Sequence, residues 1–197
     1  MSPAHVLEPT YQRLKQALRD GLWRYGAKLE AMRLAEDFGV SMTPVRDCLN
    51  QLVGEGLVDL VHGRGFRVAS LTEKGIRDLL EVNELLLVAA SRPEWDPGLD
   101  ADAGNRIVDY PERLAAVFSN LASASGNRFT VTVVNHINDR LHPVRKLEPG
   151  IVPGAEDLLH DLEKSLRGGQ QARQHALHAY HRHIIDHVSR LMALAER

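Results

Sequence analysis

Ser41, Thr43 and Arg46 stand together in "GVSMTPVRDCLNQL", immediately ahead of an apolar run at helical spacing. Two hydroxyls and a guanidinium at a helix start are anion-recognition chemistry. First-turn N–H groups have no intrahelical acceptor, the dipole is positive there, and Arg can donate two parallel hydrogen bonds to guanine. Pro44 fits the same turn, since a missing N–H loses nothing where no bond is made. Small side chains let such a helix end approach a duplex edge closely. The plainer alternative is a surface ion pair between Arg46 and Asp47 or Glu36, which would do little.

Histidine is the other chemistry-bearing group. Eight of the ten histidines lie at or beyond His136. On a helix, His183 and His187 form an i, i+4 pair and His178 and His181 an i, i+3 pair, and either spacing can chelate a metal. The pairs fall on opposite flanks of an apolar stripe, so one ion cannot collect all four. No His-Glu-x-x-His pattern supplies a base for hydrolytic zinc chemistry. Histidines on the flanks of an amphipathic helix are the favoured reading, and a bound divalent metal is disfavoured. Cys48, the only cysteine, excludes an intrachain disulfide and falls on an apolar helix face, where packing is its expected role rather than redox sensing.

Spacing then defines the elements that position these groups. Residues 9–22 read as a helix with Tyr11, Leu14, Leu18 and Leu22 on one face and Pro9 at its start. A second, "EAMRLAEDFG", turns Leu34, Ala35 and Phe38 inward and ends at Gly39. Ser41 caps a third, whose Val45, Cys48, Leu49, Leu52 and Val53 share one face, which leaves Thr43, Arg46 and Asn50 facing away. "LVDLV" and "FRVAS" then predict two short strands about the turn "HGRG". Three helices and a two-stranded ribbon make a winged helix-turn-helix.

The remainder reads as all-helical. Thr72 caps a helix to about Ser91, with Ile76, Leu79, Leu80, Leu86 and Leu87 apolar. Residues 92–105 read as a loop, and Pro111 opens a helix ending at "SGN". The Val/Thr-rich "FTVTVVNHINDRL" keeps helical spacing at Val134, Ile137, Leu141 and Val144, with Pro143 a kink or a stop. Leu159, Leu162 and Leu166 mark another helix, and Leu177, Tyr180, Ile184, Val188 and Leu191 the last. The fold class expected is mostly α, with a winged helix-turn-helix over residues 1–70 and a helical bundle over 71–197.

Composition narrows the function classes. The 197 residues carry 44% hydrophobic and 25% charged side chains, an ordinary globular balance. Residues 1–70 hold nine Lys/Arg against eight Asp/Glu, so nucleic-acid contact would rest on a few placed cations rather than a polybasic arm. No apolar run approaches a membrane span, and the N-terminal residues lack a signal peptide's apolar core. A cytoplasmic location and no membrane partner are expected.

Residues 11–70 resemble the DNA-binding domain of GntR-family bacterial transcription regulators. Gly39–Arg46 matches the family's Gly-Val-Ser-x-Thr-Pro-Val-Arg, Leu52–Val58 its Leu-x-x-x-Gly-Leu-Val, and Gly63–Gly65 the wing's Gly-x-Gly. The resemblance implies a homodimer on double-stranded, pseudo-palindromic operator DNA, probing the major groove with the third helix. It implies contacts from Ser41, Thr43 and Arg46, and from His62, Gly63 and Arg64 at the wing tip. Met42 stands where the family often has a basic residue, and Arg33 on the preceding helix is the expected compensation.

The helical part resembles the effector domain (FCD-like) of the FadR-type subgroup. That resemblance implies a small carboxylate effector and a divalent metal held by one Asp and three His. This chain departs from the pattern. Ala115 and Ser119 replace the Asp and the first His, the third position falls near Leu158–His160, and the last falls near His181. Asn83 and Leu87 replace the usual Arg and Glu of the first helix. The expectation is a DNA-binding regulator, acting as a repressor, whose helical domain dimerises and senses a small molecule. The alternatives are a constitutive DNA-binding dimer without effector binding, and a histidine-based metal enzyme, for which no catalytic residues are present.

Overall fold

The structure, a computed structural model, describes residues 4–91 and 109–195. The chain divides into two compact units, one ending at Leu71 and the next beginning at Thr72.

The first unit runs α1 (Ala4–Arg19), β1 (Lys28–Leu29), α2 (Ala31–Phe38), α3 (Met42–Gly54), β2 (Val58–Val61) and β3 (Gly65–Val68). Its core gathers Tyr11, Leu14 and Leu18 of α1, Leu34 and Ala35 of α2, and Val45, Cys48, Leu49 and Leu52 of α3. Both α1 and α2 pack on α3, which is the central helix. A polar tie assists: the Tyr11 hydroxyl donates to Glu55 Oε1 at 2.6 Å, and Lys15 Nζ reaches Glu55 Oε2 at 3.0 Å. These contacts anchor the C-terminal end of α3 to α1.

Three expectations are corrected here. The first helix begins at Ala4, so Pro9 lies inside it rather than at its start. It also ends at Arg19, which leaves Leu22 beyond the last turn and exposed rather than on the buried face. The ribbon is a three-stranded antiparallel sheet of order β1-β3-β2, with Lys28 opposite Arg67 and Leu29 opposite Phe66. A two-residue strand is too short to show alternation; only Leu29 turns inward.

The second unit is all helix among the described residues: α4 (Glu73–Ala90), α5 (Tyr110–Ala124), α6 (Arg128–Arg145), α7 (Glu148–Ile151), α8 (Ala155–Ser165) and α9 (Gln170–Ala195). Thr72 caps α4, its Oγ1 accepting from the Gly75 N–H, and Asn127 caps α6 in the same way. Packing overrides the strand preference of Val and Thr in α6, and burial of Val134, Ile137, Leu141 and Val144 follows the helical spacing. Pro143 does not stop α6, which continues to Arg145. The one-turn helix α7 had no periodicity to announce it. The expected loop over residues 92–105 lies outside the described residues. No helix among those described is long and apolar enough to cross a membrane.

α7 carries a buried acid. Glu148 is 1% exposed and accepts from the Tyr110 hydroxyl at 2.8 Å and the Tyr180 hydroxyl at 3.0 Å. Burial lifts its carboxyl from 4.5 to about 7, against the opposing pull of Arg145 and the two phenols. A folded-state value above the unfolded one means that the acid favours the fold fully below pH 4.5 and that this contribution fades as pH rises through 7. We expect the contribution of Glu148 to the second unit to fall by about 3 kcal/mol across that window, opposed in the native chain by His181, whose buried imidazole is depressed and works with the opposite sign. In urea titrations from pH 4 to 8 the native chain should lose stability relative to Glu148→Gln as pH rises, and parallel profiles for the two proteins would contradict this account.

Candidate functional sites

The geometry of α3 answers what its first turn is for. Val45, Cys48, Leu49 and Leu52 are fully buried, so the opposite side of the helix faces solvent. Ser41 occupies the N-cap with extended backbone (φ −76°, ψ 165°), yet its hydroxyl makes no capping bond. Gly39 supplies the tight connection, in the left-handed region at φ 66°, with its N–H bonded to the end of α2. The result is an exposed turn bearing Ser41, Met42, Thr43 and Arg46.

Among the described residues Arg46 makes neither a hydrogen bond nor an ion pair, so the surface pairing with Asp47 or Glu36 does not form. Arg33, exposed on α2, lies near enough to Glu30 to help hold that carboxyl below its ordinary value, after the larger effect of Lys28. At the wing, His62, Gly63 and Arg64 form an exposed turn between β2 and β3. It is closed by the Arg64 N–H on the Val61 carbonyl at 2.9 Å, with Gly63 at φ 70° and Gly65 at φ 75°. All eight residues singled out from the sequence are therefore on the surface of the first unit.

Of the two expected histidine pairs on α9, His183 and His187 lie ring against ring, with centroids 4.9 Å apart, while His178 and His181 part. His183 Nε2 donates to the Pro153 carbonyl, and His187 Nδ1 to the carbonyl of His183, while His178 pairs with Glu84. His181 is not a flank residue as expected: it is fully buried, stacked on Phe118 with ring centroids 5.6 Å apart. The expected metal positions do not fit a metal. Ala115 offers no side-chain donor atom, and Ser119 is engaged with Asn135 and Asn138. Leu159 is buried while His160 points to solvent. Among the described residues no group of three or more His, Cys, Asp or Glu converges.

What occupies that region is a group the sequence reading passed over. Asn138 Nδ2 donates to the Ala115 carbonyl and to Ser119 Oγ, each at 3.3 Å, while its Oδ1 accepts from Arg145 Nη1 at 2.8 Å. The Arg145 guanidinium is 1% exposed and lies 5.2 Å from the centroid of Phe118. A signal existed: residues 134, 138, 141 and 145 share one helical stripe, so Asn138 and Arg145 fall in line with the core leucine and valine.

The comparisons with known proteins agree with this architecture. Residues 8–68 match the family model described as bacterial regulatory proteins, gntR family. That match takes in 61 of the 197 residues, nearly all of the first unit. Over 92% of its length it is 23% identical to the HTH-type transcriptional regulator YdhC of Bacillus subtilis strain 168, covering 90% of that protein. It is 32% identical to the HTH-type transcriptional repressor GlaR of Escherichia coli K12 over 47% of this chain and 46% of that one. In solved structures, E. coli McbR/YncC superposes with a TM-score of 0.71 at 17% identity, covering 95% of this chain and 98% of that one. A GntR regulator from Rhodococcus sp. RHA1 gives 0.71 at 21%, covering 95% and 97%. The two-part, mostly helical fold is that of these solved regulators, and the relatives named above are HTH-type transcription regulators.

Cys48, inside the first unit, is fully buried with its Sγ toward the Leu7 carbonyl, and burial pushes its thiol up to about 11. A thiol so raised holds little thiolate at pH 8, and its alkylation in the native protein should be slower than in the urea-unfolded chain on the order of a hundredfold. Equal rates by mass spectrometry would mean that the core opens freely.

Proposed function

We propose that this GntR regulator is a cytoplasmic repressor that binds operator DNA as a homodimer and releases or tightens it on sensing a small molecule in its helical unit. The observation that carries the reading is the first turn of α3, whose cation and hydroxyls have solvent before them while the opposite face is buried. In this reading α3 enters the major groove. Arg46 bonds a base edge, Ser41 and Thr43 meet phosphates, and the positive end of the helix adds to both. Met42 brings no charge to the turn, so Arg33 supplies the neighbouring phosphate contact. His62, Gly63 and Arg64 reach the minor groove, where a turn free of bulk at Gly63 allows close approach.

A dimer follows from the demands of recognition. One α3 reads only a few base pairs, and two half-sites spaced about a helical turn apart give both affinity and specificity. Val82 and Leu85, exposed one turn apart on α4, are the apolar surface we assign to that dimer. The repressor named among the relatives supports the direction of regulation.

Selection of bound duplexes from a random pool, with the native chain and with Arg46→Ala, tests the reading. The native protein should enrich a pseudo-palindrome, and the variant should lose about 1–3 kcal/mol of discrimination at one position of each half-site. A uniform loss over all sequences would reassign Arg46 to a phosphate. Failure to enrich any sequence at low salt would overturn operator binding.

A further inference from the structure

His183 and His187 stand one turn apart on α9, both half-buried, with their ring planes tilted by 39° to each other. Each ring has one nitrogen committed. His183 Nε2 donates at 2.9 Å to the carbonyl of Pro153, in the turn between α7 and α8, and His187 Nδ1 donates at 2.8 Å to the carbonyl of His183. A carbonyl oxygen only accepts, so in the neutral ring the bonded nitrogen carries the proton and the other keeps a lone pair. Those lone pairs, on His183 Nδ1 and His187 Nε2, have no partner among the described residues.

Spacing brings the two residues to one face, and the structure adds their orientation. Imidazoles that bind a metal almost always donate their second N–H to a carbonyl, a carboxylate or water, which fixes the tautomer and the direction of the ring. Both rings have that support in place, and both have the second nitrogen open. The other expected pair does not share it, because His181 is fully buried while His178 is at the surface, bonded to Glu84.

We infer that His183 and His187 form an open two-histidine site on the outer side of α9 that takes one borderline divalent cation of the zinc, nickel and copper(II) class. The site shares no residue with the positions where the FadR-type resemblance would put a metal, and it rests on neither the operator reading nor the effector reading.

The donor set selects the ion. Two neutral imidazole nitrogens suit zinc, nickel and copper(II), whereas magnesium and calcium require oxygen ligands. Among the described residues no third His, Cys, Asp or Glu converges on the pair, so water fills the remaining positions and the ion exchanges freely. Carboxylates stand nearby in support. Asp186 is exposed next to His187 in the chain, and Asp157 lies against the turn that His183 reaches, its Oδ2 3.8 Å from where a side chain on Gly154 would begin. An ion held by both rings would fix one turn of α9 and, through the bond from His183, the Pro153 turn as well.

The test is isothermal titration of the untagged full-length chain, above pH 7, with zinc, nickel, copper(II) and, as the hard-ion control, magnesium. One ion per chain should bind, copper(II) more tightly than nickel or zinc, and magnesium should give no heat. His187→Ala is the cleaner variant, because that ring bonds only within its own helix. It should weaken zinc by at least about tenfold, since removing even an orienting partner of a metal ligand costs that much. His183→Ala should do the same, and His178→Ala should change nothing. Zinc should raise the melting temperature of the native chain but not that of His187→Ala, a readout that also shows the variant to be folded. No uptake of zinc, nickel or copper(II) by the native chain, full-strength uptake by His187→Ala, or an equal loss in His178→Ala would each overturn the site. A chain that enriches an operator yet takes up no ion loses this inference alone.

Discussion

Everything at the surface proposed to face DNA depends on one burial. Val45, Cys48, Leu49 and Leu52 lie on a helix of thirteen residues, and all four are excluded from water by α1 and α2. At roughly 1.5–3 kcal/mol for each large apolar side chain, that face sets the rotation of α3 far more firmly than any polar contact could. Once the rotation is set, 100° per residue carries Thr43 and Arg46 to the other side with no further instruction. The Tyr11–Glu55–Lys15 tie then holds the far end of α3. A recognition turn is therefore a by-product of core packing: its residues need only be small, polar and unengaged.

The helical unit obeys the opposite rule. Its apolar stripes close a bundle, but inside it lie the Glu148 carboxyl with two phenols, the guanidiniums of Arg145 and Arg173, the amides of Asn83 and Asn138, and the imidazoles of His142 and His181. Glu148 with Tyr110 and Tyr180 is a satisfied group, since each phenol donates and the acid accepts. Arg145 is half satisfied, bonded along one edge and bare along the other. A buried cation of that kind raises the free energy of the empty fold, and pairing it recovers part of that energy. The contrast between these neighbours separates a structural network from a receptive one.

The fold was legible where spacing carries it. The stripe of α9 from Leu177 to Leu191 is buried as read, and α6 is a helix despite its valines and threonines, because a buried stripe outweighs a weak local preference. Ser41, Thr43 and Arg46 could be placed outward for the same reason. Three things escaped. β1 is two residues long, and its pairing with β3 is a long-range contact that no local pattern encodes. α7 is a single turn, shorter than one period of the signal. The interior polar groups were hard to read for a different reason: Asn138 and Arg145 share a stripe of α6, but Asn83 and His181 come from two other helices, and a polar residue on an apolar stripe reads as a mistake in the stripe. Even the resemblance pointed elsewhere, toward a metal that Ala115 and Ser119 do not support.

A ligand changes operator affinity only by binding one arrangement of a dimer better than another. The interior of the helical unit offers a source for that difference. Asn83, Arg145 and His181, on three different helices, are buried there with polar atoms that lack hydrogen-bond partners. α4 matters most, because it is the first helix after Leu71, where the chain passes from one unit to the next. It also bears Val82 and Leu85 on its exposed side. One helix thus carries an orphaned amide on its buried face, an apolar pair on its open face, and the junction at its N-terminus. A shift of α4 on its buried side would therefore be carried to the surface proposed for the dimer.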